Sequence, residues 1–155
     1  MAPVRRTAGL ARHLGSTKGA ELIEFALVLP VLLLVLGGVL DMGFLFNNYA
    51  VVTNAAREGA RMAAVPGWVE TDVKNRVNRY ITGAGLTLTG VTTTVNPVAV
   101  DIGGGKTVNA VKVVVTYPYN YLILGPLAQM IQGGSVANVT LKAAATMRAE
   151  VAAGL

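Results

Sequence analysis

The sequence predicts an α+β protein: a long N-terminal transmembrane helix continues into a small extracytoplasmic domain, with a three- or four-stranded antiparallel sheet packed on helix. Three observations predict it. Residues 25–40 read FALVLPVLLLVLGGVL, without a charge until Asp41. The pattern then runs on as FLFNNYAVVTNAAREGARMAAV, with no turn signal before Pro66-Gly67. Beyond that break the periodicity changes to one amphipathic helix followed by Thr- and Val-rich alternation.

At 155 residues the chain holds one domain rather than two, and 53% hydrophobic against 14% charged residues is too apolar for an ordinary soluble domain of this size. The alternative for the apolar run is a buried core helix, but a domain this small has little to enclose a segment that is apolar all round. The uncharged run of 16 residues is slightly short of the roughly 17–25 that a spanning helix needs. Counting from 22 to 46 reaches that length, with Glu24 and Asp41 near the two interfaces. With the Ala-rich continuation, the spacing predicts one helix over residues 20–65, about 67 Å long at about 1.5 Å per residue. Pro30 removes a backbone donor inside this helix and crowds the carbonyl of Ala26, so it is the expected kink; membrane helices tolerate this better than soluble ones.

Charge gives the orientation. Arg5, Arg6, Arg12 and Lys18 lie in residues 1–19 with no acid, which leaves a net charge of +1 on the remainder out of +5 for the whole chain. No basic face with interleaved aromatics remains for nucleic acid. Basic residues flanking a membrane segment stay cytoplasmic, so the N-terminus is expected inside and residues 66–155 outside. A secretory signal peptide would be cut after its apolar stretch at an A-x-A-like site, and GGVLDMG is a poor match. The small residues Gly19 and Ala20 instead precede the run.

In the outer region, Val69, Val73, Val77, Tyr80 and Ile81 recur at helical spacing, and Gly83 and Gly85 end that helix. Leu86–Val95, Val108–Tyr117 and Val136–Met147 carry strand patterns, with Val111, Val113, Val115 and Tyr117 on one face. DIGGGK at residues 101–106 turns the first strand into the second, and YLILGPLAQMIQGG at 121–134 has room for a short helix. Residues from about Asn47 onward are expected to fold as a soluble domain without the apolar run.

Catalysis is disfavoured by inventory, and no cofactor is expected. Cys is absent and the single histidine, His13, lies in the basic leader, so neither a Ser-His nor a Cys nucleophile can be assembled behind it. The acids are scattered and form no calcium-loop pattern, and Gly103-Gly104-Gly105-Lys106 lacks phosphate-loop spacing. Arg57, Glu58 and Arg61 read either as a partner-binding cluster or as i,i+3 pairing on a solvated helix face.

A short basic leader ending in Gly, a small residue after it, Glu and an aromatic at Glu24 and Phe25, and then a long apolar run together resemble prepilins of the type IV filament superfamily. More narrowly, GAELIEFALVLPVLLLVLGGVLDMG with NNYAVVTNAAREGARMAA, and AAATMRAE near the end, resemble the TadE-like family of tight-adherence (Tad) pilus proteins. The resemblance implies a minor pilin or pseudopilin that a membrane-embedded prepilin peptidase cuts between Gly19 and Ala20, with Glu24 and Phe25 as recognition or assembly residues. It implies as partners the bacterial inner membrane, that peptidase, other pilin or pseudopilin subunits and the assembly platform. A mature chain of 136 residues and Phe rather than Tyr at position 25 favour the minor subunit.

On that reading Glu24 lies one helical turn from a new amine at Ala20 and compensates its charge, within a subunit or between neighbours. The competing explanation is that Glu21 and Glu24 simply complement the helix macrodipole. The alternative for the whole protein is a single-pass, signal-anchored membrane protein whose outer domain binds a ligand or partner.

Overall fold

The computed structural model describes residues 17–126, 129 and 138–150. Its elements follow in the order α1 (Thr17–Ala63), α2 (Glu70–Gly83), β1 (Thr92–Asp101), β2 (Thr107–Asn120) and β3 (Asn138–Arg148). The fold is α+β, and the three strands form one antiparallel sheet in the order β1-β2-β3. The chain divides between Val39 and Leu40 into two compact units, the second holding most of the structure.

Helix α1 runs through Pro30 without interruption. Among the described residues of the first unit it has nothing apolar to pack on: Leu27, Leu32 and Leu33 all point outward. In the second unit its composition changes to NNYAVVTNAAREGARMA, and Val52, Ala55, Ala56, Ala60 and Ala63 are fully buried. Small side chains at this spacing allow close approach. A Cβ at Gly59 would meet Val77 Cγ2 at 2.7 Å and Val113 Cγ1 at 3.2 Å, so the helix backbone touches α2 and β2 where only glycine fits.

Pro66 and Gly67, the latter at φ +81°, turn the chain into α2. There Glu70 and Asp72 stand in the first turn, where carboxylates complement the helix dipole. Val73, Val77 and Ile81 form its buried stripe. The stripe is narrower than the spacing suggested, because Val69 and Tyr80 are exposed at its two ends. The helix stops in a Schellman arrangement: Gly85 at φ +81° donates to Thr82 O and Leu86 N to Ile81 O, at 3.0 and 3.2 Å.

Strand β1 differs from expectation in register along the chain. Leu86–Val95 was the predicted strand, but the strand starts at Thr92 and ends at Asp101, and residues 86–91 serve the helix cap and a turn. Asn96 and Pro97 read as strand breakers, yet β1 is an edge strand, where a missing N–H is tolerated. The Gly-rich loop does turn β1 into β2. Gly103, Gly104 and Gly105 all have positive φ, Asp101 Oδ1 accepts from Gly103 N at 2.8 Å, and Ile102 N donates to Lys106 O at 2.9 Å.

Strand β2 is central and longer than predicted, with Val111, Val113, Val115, Tyr117 and Tyr119 buried along one face. Leu141 and Ala143 of β3 extend that face, with Leu141 opposite Tyr117 and Ala143 opposite Val115. Of the predicted third strand, Val136 and Ala137 lie outside the described residues. In the stretch expected to hold a short helix, residues 124–126 and 129 are helical and the rest lies outside the described residues.

Candidate functional site

The residues singled out from the sequence lie on one stretch of α1. Gly19, Ala20, Glu21, Glu24, Phe25 and Pro30 are all within the helix and all outward-facing and exposed. The Gly19–Ala20 bond is itself helical, so Glu24 stands four residues and about one turn beyond Ala20 on the same side. A helix of that length that turns Leu22, Ile23, Phe25, Leu27, Leu33 and Leu36 outward is suited to an apolar surrounding. It is the one helix among the described residues long and apolar enough to cross a membrane.

Sequence reasoning missed the role of Asp41. Expected near a membrane interface, this carboxylate is also 0% exposed within the second unit. Its Oδ1 accepts hydrogen bonds from the backbone N–H groups of Leu122 at 3.0 Å and Ile123 at 3.1 Å; Oδ2 accepts from Ile123 at 3.1 Å and Leu124 at 2.7 Å. The Tyr119 hydroxyl donates to the Asp41 carbonyl at 3.2 Å and makes an edge-on contact with Tyr121, ring centroids 5.5 Å apart. Burial, and then the charge of Asp41, push the Tyr119 hydroxyl above its usual range. A buried carboxylate with three backbone donors is a well-satisfied group. The signal available in the sequence was an acid at the end of an apolar run, which needs a partner; nothing there identified a partner some 80 residues away.

Glu58 is the second charged feature. It accepts from Arg76 Nε of α2 at 3.0 Å and pairs with Arg61 Nε at 3.3 Å. The hydrogen bond from Arg76, aided by both guanidinium charges, holds its carboxyl below the ordinary value near 4.5 against the opposing effect of burial. The i,i+3 pairing expected for Glu58 and Arg61 is present, and Arg76 is an addition. These groups line a shallow surface groove with Met62, Val65, Arg79 and Glu150. Among the described residues no three of His, Cys, Asp and Glu converge as metal ligands would.

These features define a class of protein: one membrane-capable helix whose C-terminal half carries a small α+β domain on a bed of Ala and Gly. Residues 19–61 match the family described as TadE-like protein, the family that the sequence resembles. The match covers Glu24, the apolar run, Asp41 and A-A-R-E-G-A-R, and it ends before α2. Comparison with curated proteins and with solved structures found no match.

Proposed function

We propose that this chain is a structural or assembly subunit, a minor pilin or pseudopilin, of a Tad-type pilus or related secretion apparatus. The observation that carries the reading is the outward-facing apolar stretch of α1 with Glu24 one turn beyond Gly19–Ala20, all inside the segment that matches the TadE-like family. In this account residues 1–19 are a leader removed by a prepilin peptidase. The helix inserts in the bacterial inner membrane with its N-terminus cytoplasmic, and the domain from 66 to 155 lies outside. Phe25 contributes to recognition, Pro30 bends the helix for packing against neighbours, and Glu24 neutralises the amine of Ala20 in a weakly solvated site. The role requires neither enzymatic activity nor a cofactor.

The test is Glu24→Ala together with Glu24→Gln, in a strain carrying only the variant. Membrane fractionation and leader removal by mass shift should stay close to the parent, because each change takes a charge out of an apolar segment. Pilus-dependent surface attachment should fall. Parental attachment with either substitution refutes the charge pairing and favours a plain signal anchor; loss of leader removal moves the role of Glu24 to peptidase recognition.

A further inference from the structure

We infer that the turn after β2, at Leu122–Pro126, is a second membrane contact: it rests in the outer-leaflet interface beside the helix. The inference rests on the reading of α1 as a membrane helix. Asp41 is the first charged residue after the apolar run, and it lies on the same unbroken helix, so it marks where that helix leaves hydrocarbon. The carboxylate is bound to the backbone of Leu122, Ile123 and Leu124, which fixes the turn at the depth of Asp41.

Three further facts favour lipid as what covers the turn. Leu122 is 66% exposed between half-buried Tyr121 and Ile123, and Pro126 is exposed as well. No charged residue occurs between Lys112 and Lys142, whereas the opposite end of the same hairpin carries Asp101 and Lys106. Irregular backbone approaches lipid only when its polar groups are satisfied from within, and Asp41 supplies acceptors to three of the four N–H groups of the turn. The aromatics are placed accordingly. Tyr121, half-buried just past the end of β2, and exposed Phe44 and Tyr49 on α1 are aromatic side chains of the kind that favour headgroup level. Helix and turn each expose apolar side chains, and the occupant that suits both is the bilayer.

The cysteine-free chain allows a direct test. Full-length protein carrying Leu122→Cys or Pro126→Cys is nitroxide-labelled and placed in vesicles of phosphatidylethanolamine and phosphatidylglycerol, and collision with oxygen is compared with collision with a water-soluble nickel chelate. Leu33→Cys is the lipid control and Thr107→Cys, at the far end of β2, the water control. The oxygen-to-nickel ratio at 122 and 126 should exceed that at Thr107 several-fold, approaching Leu33. A ratio equal to that of Thr107, or shielding from both reagents as a second copy would produce, overturns the contact while Leu33 keeps the membrane reading intact. A Leu33 label in water overturns both.

Discussion

Up to Val39, α1 turns Leu22, Leu27, Leu32 and Leu33 outward; from Val52 to Ala63 it turns Val52, Ala55, Ala56, Gly59, Ala60 and Ala63 inward. The two halves belong to one continuous helix and both are apolar, but they answer to different neighbours. Lipid chains are fluid and fill any shape, so long branched side chains maximise contact there and need no complementary partner. A β-sheet and a second helix are rigid, so the facing surface must be shaved down until backbones nearly touch, as at Gly59. Side-chain size along a single helix therefore reports what surrounds each turn.

Substitutions that are equivalent in composition should have unequal effects in the two halves. Trp68, the single tryptophan, is packed against the core of the second unit and makes a fluorescence probe that leaves the first unit silent. In detergent, Ile81→Ala should destabilise the domain by about 2–4 kcal/mol in a denaturant titration of that signal, since it empties a fully buried site. Leu33→Ala removes an apolar side chain of the same size and should leave the titration within about 0.5 kcal/mol of the parent. Equal losses from both would erase the distinction between the halves.

Asp41 should come next in size. Removing its carboxylate strands three backbone donors, so Asp41→Ala should cost about 2 kcal/mol by the same titration, and Asp41→Asn less because an amide oxygen still accepts. A soluble fragment begun at Leu40 should then be more stable than one begun at Asn47, where the sequence had placed the start of the folded region; the difference sharpens the boundary to Val39–Leu40. Gly59→Ala should cost about 1–3 kcal/mol through overpacking against Val77 and Val113, despite alanine's better helix propensity. At Gly19, where an added Cβ meets nothing within 4 Å, the same change should leave domain stability unaltered.

Among the substitutions that break a contact, the smallest effect belongs to Glu58. Its pairs with Arg61 and Arg76 are partly solvated, so Glu58→Gln should cost about 0.5 kcal/mol at neutral pH. Because Arg76 lowers the folded-state pKa below the ordinary 4.5, the contribution is complete above that value and is lost as pH falls through the folded pKa. Parent and variant should converge in acid. A gap that persists below that range would mean packing rather than charge sets the difference.

Much of this architecture was legible in the sequence because hydrophobic period and turn chemistry act locally. The apolar run, the Pro66-Gly67 break, the stripe of Val73, Val77 and Ile81, and the triple-glycine hairpin each declare themselves within a few residues. The start of β1 did not, since Leu alternates with Thr before Thr92 and Thr and Val recur after it, and whether Leu86 caps α2 or opens a strand is decided by a bond to Ile81. The hydrogen-bonding role of Asp41 was hidden for a related reason: an acid at the edge of an apolar run reads as an interface residue and nothing more until its partners, 81 to 83 positions further on, are seen. At Glu24 the sequence carries the whole case, because the helix places it outward and one turn beyond Ala20 without bringing a described partner to it.

The account turns on the N-terminal half of α1 serving as a processed assembly helix. Its most direct test is the N-terminus of the membrane-extracted protein, read by intact mass and N-terminal sequencing from a host with an active prepilin peptidase. The account predicts a chain beginning at Ala20, lighter by residues 1–19. A chain that retains those residues, or one cut beyond the apolar run, would contradict it.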